Sequence, residues 1–286
     1  MTIKNINIIT DKVTGFKRSS YLLNYLAIEW ARNGYSITLS GPKNPPNADL
    51  GILHVDMTVV SQDFLDACSA YPVLLNGQFT DNSKRLISKH VISPDCNYSG
   101  AVIIKTNANY GGLHELRAKY PAGYPDELVA MHPNNSATQW SLVQHIPTES
   151  YIVLESIDAV HEEVWTNPYL VVEKFTPEID ADGLYCMRAC LFFGDEEVGL
   201  LVKSRSKIIK GRDVIDLQFI SGIAPTEVQQ FKKDHHMEFG RIDYVIHRGE
   251  VVIFDANKTA SLSQTSINEL SNVLIKPLSQ GISNYV

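Results

Sequence analysis

The sequence predicts a mixed fold, α/β at its start and α+β thereafter, and three observations carry that reading. Between residues 6 and 75, apolar runs of strand length alternate with stretches whose apolar residues recur at helical spacing, the pattern of a small, mostly parallel sheet with crossover helices. From residue 184 onward, long apolar runs follow one another across tight polar breaks at Gly194-Asp195 and Arg248-Gly249-Glu250, the pattern of antiparallel hairpins. Between these regions lies Leu113 to Thr148, which holds Pro121, Pro125, Pro133 and Pro147 and shows no regular period.

Ile6 to Thr10 reads as a strand. In Ser19 to Asn33, Leu22, Leu23, Leu26, Ala27 and Trp30 share one helical face, and Gly34 closes the helix because glycine tolerates the left-handed backbone found at helix ends. Strands at Tyr35 to Leu39 and Leu50 to Val55, a helix near Gln62 to Ala70 and a strand at Pro72 to Leu75 complete a βαβ-like series. No GxGxxG follows the first strand, and Thr10-Asp-Lys-Val-Thr-Gly15 lacks that spacing, so a dinucleotide site has only weak support. A polar turn, Asn76 to Arg85, leads into a short helix ending near Lys89. Ala101 to Lys105 is then a strand that delivers a lysine to the edge of the loop Thr106-Asn-Ala-Asn-Tyr-Gly-Gly112. Such a lysine can neutralise a polyphosphate while loop amides donate to its oxygens. The loop is not a Walker A motif, because no Lys-Ser/Thr pair follows the glycines.

Leu113 to Thr148, with its polar Asn134 to Thr138 patch, is expected to be a lid or substrate loop, since long irregular segments inside a domain are usually functional or mobile. Tyr151 to Leu154 reads as a strand, Ile157 to Trp165 as a helix and Tyr169 to Phe175 as a strand. Leu184 to Phe193 is a long strand carrying Arg188, followed by a strand from Val198 to Lys203. Ala224 to Phe231 and Gln264 to Leu278 are expected as helices covering the last hairpin.

With 44% hydrophobic and 20% charged residues, the chain is an ordinary globular one with a sizeable core. Its net charge of −7 argues against a general nucleic-acid or anionic-membrane partner, while leaving room for local basic sites that take small anions. Lys203, Arg205, Lys207, Lys210 and Arg212 form one such patch. No apolar run approaches the length of a membrane span, and Met1-Thr-Ile-Lys4 leads directly into a strand, so a cytoplasmic location is the expectation. Cys68, Cys96, Cys186 and Cys190 include no CxxC pair and read as core residues, Cys186 and Cys190 sharing one strand face.

The richest stretch is Phe239 to Thr259, a hairpin whose second strand ends Asp255-Ala256-Asn257. Residues two apart on a strand share a face, so Asp255 and Asn257 point the same way. Whether Asp243 joins them depends on register. A two-residue turn at Arg248-Gly249 would set Ile242 opposite Asp255 and send Asp243 to the other face, whereas an odd-length loop pairs Asp243 with Asp255. The odd loop also collects Ile242, Tyr244, Ile246, Val252, Phe254 and Ala256 on one apolar face, and it is the register expected here. Two carboxylates and an amide oxygen together are hard donors suited to Mg²⁺ beside phosphates; the other reading is a hairpin with solvated acids.

Taken together, the strand ending in Lys105 before a glycine loop, the strand Val171-Val-Glu-Lys-Phe175, the strand with Arg188 and the acid hairpin ending Asp-x-Asn resemble the ATP-grasp superfamily, in particular its glutathione synthetase-like carboxylate-amine ligases. The resemblance implies an N-terminal βαβ domain over residues 1–80 and a two-lobed grasp around Mg²⁺ and ATP. Its small lobe would cover 81–175 with an irregular insertion at 113–148, and its large lobe 176–286. It further implies that Lys84 and Lys105 approach the phosphates under a loop containing Gly111 and Gly112. The interlobe strand Glu173, Lys174, Phe175 and Thr176 would read adenine, and Glu178 the ribose. Arg188, aided by Lys203 or Arg205, would serve the γ-phosphate and the acyl intermediate, and Asp243, Asp255 and Asn257 would hold the metal. Asp255 stands where the family's last strand usually carries glutamate.

The activity so implied is ATP-dependent amide formation between a small-molecule carboxylate and an amine through an acylphosphate. A kinase acting on a hydroxyl, or a nucleotide-binding protein without turnover, fits the same residues. A homodimer is the base-rate expectation.

Overall fold

The computed structural model describes residues 4–131, 137–220, 222–262 and 271–285. The first sheet has the order β2 (Ser36–Ser40), β1 (Asn5–Thr10), β3 (Leu50–His54) and β4 (Leu74–Leu75), parallel throughout. The connections are right for that topology: α1 (Leu22–Arg32) links β1 to β2 and α2 (Gln62–Cys68) links β3 to β4. Every residue of β3 is buried, as expected for a strand covered on both faces.

Leu22, Leu23, Leu26, Ala27 and Trp30, the apolar face seen in the sequence, are the buried side of α1. They pack in one core with Ile6, Ile8 and Leu50 of the first sheet and with Ala189, Leu191 and Phe193 of a distant strand. The Trp30 ring meets Phe193 edge-on at 4.9 Å, and its Nε1 donates to the Ser279 carbonyl at 2.9 Å. The N-terminal βαβ unit therefore shares its core with the C-terminal part of the chain.

A second sheet is antiparallel, with β5 (Val102–Thr106) between β6 (Ile152–Leu154) and β7 (Leu170–Lys174). Ahead of it stands the short α3 (Lys84–Ile87), and α4 (Leu113–Lys119) begins directly after Gly112. The described parts of the region 113–148 are more regular than its sequence implies. Besides α4, its Ala130, Trp140, Val143 and Ile146 are buried against Val102, Ile104, Leu170 and Val172, so this part covers the second sheet and is not a free lid. Sequence periodicity does not reveal such packing, because an irregular segment buries isolated large side chains instead of a regular face. Residues 134–136 of the polar patch lie outside the described residues.

The third sheet has six strands. β8 (Glu178–Ile179) lies beside β9 (Tyr185–Phe193), and the main order is β11 (Val214–Ile220), β10 (Glu196–Ser204), β9, β12 (Phe239–His247), β13 (Glu250–Asn257). β8 and β11 were not expected. β11 is an edge strand with Ile215, Leu217 and Phe219 largely exposed, and its alternation Ile-Asp-Leu-Gln-Phe follows a basic stretch that reads as loop. The remaining helices are α5 (Glu162–Thr166), α6 (Thr226–Asp234) and α7 (Lys276–Gln280). Residues 264–270 of the expected last helix lie outside the described residues. Among the described residues no helix is long and apolar enough to cross a membrane.

His54, the last residue of β3, is fully buried with neither ring nitrogen hydrogen-bonded. Phe16 and Tyr21 meet its ring at 5.3 and 4.7 Å, and Phe239 stacks on it at 6.3 Å. Burial pushes its pKa down to about 4, against the opposing pull of Asp56 and Asp11. Between the usual histidine value and that figure the unfolded chain binds a proton that the folded chain does not, so stability falls as pH drops through this window and the loss is complete below it. A shift of that size corresponds to at most about 3 kcal/mol. Urea melts at neutral pH and near pH 4 should therefore differ more for the wild type than for His54→Phe; equal losses in the two proteins would contradict this source of acid sensitivity.

Candidate active site

The hairpin of β12 and β13 turns at Arg248 and Gly249, with φ values of 52° and 85°. Two consecutive left-handed residues make the tight turn whose twist suits a hairpin, and glycine takes the second position without strain. His247 pairs with Glu250, and the pairs run regularly to Tyr244 opposite Ile253. The loop thus has two residues, not an odd number. Continued without interruption, this register would place Ile242 opposite Asp255. It does not continue: between Ile253 and Asp255 the residue Phe254 has no partner, and beyond it Asp243 pairs with Asp255, Ile242 with Ala256 and Arg241 with Asn257.

This is a β-bulge, in which two residues of one strand oppose one of the other and consecutive side chains turn to the same side. Phe254 and Asp255 accordingly both face a cleft, with Val252, Asn257, Arg241, Asp243 and Val245. Val251, Ile253 and Ala256 face the core with Ile242, Tyr244 and Ile246. The expectation that Val252 and Phe254 lie on the core side is corrected, while Asp243, Asp255 and Asn257 share one face by a different route.

The cleft has a volume of about 1600 Å³. It is lined from the C-terminal ends of β1 and β3, from β5 and β7, and from one face of the six-stranded sheet. Lys84, Lys105, Glu173, Lys174, Phe175, Thr176, Asp243, Asp255 and Asn257 all reach it. α3 sets Lys84 in place through its backbone: the Lys84 N–H donates to the Asn107 carbonyl and the next N–H, of Arg85, to the Asn107 side chain. Its ammonium lies 2.6 Å from Asp255 Oδ1. The Lys105 ammonium is 2.7 Å from Glu173 Oε2 and sits 5.2 Å from the centre of the Phe254 ring. Glu173 Oε1 is buried without a hydrogen-bond partner.

Asp243 accepts from Arg241 Nε at 2.6 Å, and Asn257 Oδ1 accepts from Asn109 Nδ2 at 2.8 Å. Burial works to raise the Asp255 carboxyl, but Lys84 outweighs it, with Lys105 and Arg241 adding to the effect, and Asp255 is held below the usual carboxylate range. Asp243 goes the other way: burial and the neighbouring Asp255 raise it, and Arg241 only partly offsets them. Two acids whose environments push them apart are what a carboxylate pair becomes when like charges face each other in a confined site.

The donors fit magnesium in kind. In both carboxylates Oδ1 is engaged and Oδ2 has no donor among the described residues, so one oxygen from each remains, together with the Asn257 amide oxygen. Among the described residues no group of three His, Cys, Asp or Glu side chains is placed to hold a metal, and an amide oxygen is the third donor here. Such a partial set of hard oxygens suits an ion that draws its other ligands from phosphate and water.

Other expected site residues lie elsewhere. Arg188 sits opposite Tyr244, and it is its neighbour Ala189 that sits opposite Asp243, so Arg188 projects from the face away from the cleft. There it clasps Glu178, with Nε at 3.1 and 3.0 Å from the two oxygens and a second guanidinium nitrogen at 2.7 Å. Glu178 also accepts from the Ile246 N–H and is not on the cleft wall. Lys203 binds Asp180 at 2.9 Å and does not line the cleft, and Arg205 is exposed outside it. The rest of the basic patch, Lys207, Lys210 and Arg212, does line it.

Gly111 and Gly112 are buried, with φ values of 68° and 80°. A Cβ on Gly111 would collide with the Ile146 carbonyl oxygen, and one on Gly112 would lie 2.6 Å from the Gln144 carbonyl oxygen. These glycines serve close backbone packing, while Asn109 and Tyr110 reach the cleft in their place.

The arginine that lines the cleft beside the hairpin acids is Arg241, 2.6 Å from Asp243. Sequence reasoning passed over it, although the two-residue period that aligned Asp255 with Asn257 also aligns Arg241 with Asp243. Among the described residues, ten lysine and arginine side chains line the cleft against the four carboxylates of Asp56, Glu173, Asp243 and Asp255. In a chain of net charge −7, this local excess of cations marks the cleft as a seat for an anion.

No protein-family model matches the chain, and no curated protein matches it by sequence. Solved structures do match in three dimensions. The ATP-grasp ligase PsnB, complexed with a phosphomimetic variant of a minimal precursor, Mg and ADP, superposes with a TM-score of 0.56 at 8% identity, covering 100% of both chains. The same ligase with minimal precursor, Mg and ADP gives 0.54 at 9% identity, covering 100% of this chain and 99% of that one. The D-cycloserine synthetase DcsG gives 0.52 at 10% identity, covering 98% of this chain and 99% of that one. At such identities the likeness concerns architecture, and the protein has the ATP-grasp fold.

Proposed function

We propose that the protein is an ATP-dependent carboxylate-amine ligase that binds Mg-ATP between the second and third sheets and forms an amide through an acylphosphate. In this reading the second sheet with its cover is the small lobe, the third sheet the large lobe, and the first sheet borders the acceptor end. The observation that carries the proposal is the convergence, at the Phe254 bulge, of Asp243, Asp255 and Asn257 with Lys84, Lys105 and Arg241 in a cationic cleft. PsnB and DcsG, a ligase and a synthetase on the same fold, support it by analogy.

Asp243, Asp255 and Asn257 would hold magnesium, which supplies charge neutralisation to the triphosphate when bound. Lys84 and Lys105, now held by Asp255 and Glu173, stand ready to exchange those carboxylates for phosphate oxygens. The stretch from Glu173 to Thr176 would cradle the base. Arg241, beside Asp243, is placed to meet the γ-phosphate and the incoming substrate carboxylate, the task expected of Arg188 from the sequence. Lys207, Lys210 and Arg212 would close the anionic site from the other wall. The carboxylate oxygen attacks the γ-phosphorus, ADP leaves, and the amine then displaces phosphate from the acyl carbon. Fixed cations and orientation would account for most of the acceleration. The reactants are small molecules, with no nucleic acid or membrane involved.

Asp255→Asn, which preserves shape, and Arg241→Ala should each lower acid-dependent ADP release by about 100-fold or more. Inorganic phosphate should appear in step with ADP in the wild type; phosphate retained on the product would indicate a kinase, and full turnover in Asp255→Asn would refute the metal assignment. Arg188→Met should act differently. It leaves Glu178 half-buried without its partner and should cost about 1–3 kcal/mol in urea unfolding, with the residual turnover of the folded enzyme intact; a selective loss of turnover at unchanged stability would restore Arg188 to the site.

A further inference from the structure

At the end of the cleft bordered by the first sheet stands a second group of polar residues that nothing in the nucleotide site uses. Asp56, two residues past β3, accepts from Tyr21 Oη at 2.6 Å and from Thr259 Oγ1 at 2.7 Å, and its Oδ2 lies 3.1 Å from His114 Nε2. Its own N–H donates to Asp11 Oδ1 at 3.0 Å. Burial works to raise the Asp56 carboxyl, but the bonds from His114, Tyr21 and Thr259 outweigh it and hold Asp56 well below the usual range, so it remains an anion. Asp56, Tyr21 and His114 all line the cleft.

Building on the ligase reading, we propose that His114, oriented by Asp56, is the general base that takes the proton from the attacking amine, and that the surrounding pocket is the subsite of a primary amine arriving as its ammonium ion. With Nε2 donating to Asp56, the lone pair is on Nδ1, which has no protein partner among the described residues. A carboxylate behind an imidazole fixes its tautomer and stabilises the imidazolium that forms. The Tyr110 ring stacks on His114 at 5.1 Å and is itself 55% exposed, giving the subsite a flat wall open to an incoming molecule. Arg117, one turn further along α4, Lys12 and Arg18 also line the cleft, Asp11 bonds the Asp56 backbone, and the buried Lys258 ammonium interacts with the Asp56 carboxylate.

Placement joins this dyad to the chemistry. Thr259, bound to Asp56, is two residues beyond Asn257 on the same chain, and Asn109, bound to Asn257, lies five residues before His114. The segments 109–114 and 257–259 thereby tie the His114 and Asp56 pair to Asn257. In the step assigned here an ammonium proton passes to His114 Nδ1, and the freed nitrogen pair attacks the acyl carbon. A C–N bond forms, the C–O bond to phosphate breaks, phosphate leaves with that electron pair, and the second nitrogen proton leaves to phosphate or water. Nothing is oxidised or reduced.

The test separates the two half-reactions. Hydroxylamine is largely unprotonated at neutral pH and intercepts acylphosphates without needing a base. Wild-type enzyme with Mg-ATP, hydroxylamine and, in turn, each proteinogenic amino acid and the straight-chain dicarboxylates identifies the acid by hydroxamate; the same amino acids are then offered as amines. His114→Gln should keep hydroxamate formation, which also shows that it is folded, and lose on the order of 100-fold or more in amide formation at neutral pH. Amide formation should recover as pH approaches the amine's own pKa. Asp56→Asn should show the same split in milder form. Equal loss of hydroxamate and amide, or undiminished amide formation at neutral pH, would overturn the assignment of His114. Hydroxamate from no acid in the wild type would remove the ligase reading on which the assignment rests.

Discussion

One unpaired residue in the last hairpin sets the chemistry of the cleft. The tight Arg248-Gly249 turn fixes a register in which Asp243 and Asp255 would lie on opposite faces, and the insertion of Phe254 shifts the strand by one position just before the acids. Turn and bulge are thus coupled. The first part of the hairpin is built for packing, with Tyr244, Ile246, Val251 and Ile253 on the core side, and the second for binding, with Arg241, Asp243, Asp255 and Asn257 toward the cleft. The bulge residue is itself used, since its ring lies beneath the Lys105 ammonium.

The same arrangement explains how a confined set of charges is held together. Lys84 with Asp255, Lys105 with Glu173 and Arg241 with Asp243 are close pairs in which each cation compensates an acid that would otherwise be buried alone. In the proposed reading these cations and acids exchange partners for phosphate and metal, and the wider cleft carries more cations still. Arg188 with Glu178 is a pair of another kind: it lies on the other face, ties β8 to β9 and, through the Ile246 N–H, to β12, and has no opening toward the cleft.

Much of this was legible in the residues. The helical face of α1, the mostly parallel character of the first sheet and the shared face of Asp255 and Asn257 follow from periodicity, and the lysine near the end of β5 from its place before the glycine loop. Arg241 was equally legible, by the same two-residue rule applied to β12. Arg188 was not, because β9 is apolar on both sides and buried from Ala189 to Phe193, so the pattern carries no parity from which a face can be read. The Phe254 bulge was hidden for a related reason: Val251 to Phe254 is uniformly apolar, and an inserted residue leaves no mark in such a run. Gly111 and Gly112 resembled a mobile phosphate loop, yet their spacing could not report the Gln144 to Ile146 backbone that packs against them. The Asp56 and His114 dyad joins residues far apart in sequence and depends wholly on the tertiary fold.

The central claim is that the bulged hairpin is a magnesium-nucleotide seat. It is tested most directly by a crystal structure of the protein with Mg²⁺ and a non-hydrolysable ATP analogue. The account predicts a metal ion bound by Asp243, Asp255 and Asn257, phosphates against Lys84, Lys105 and Arg241, and the base beside Glu173 to Thr176. A nucleotide bound outside this cleft, or within it with the hairpin acids making no contact to metal, would contradict it.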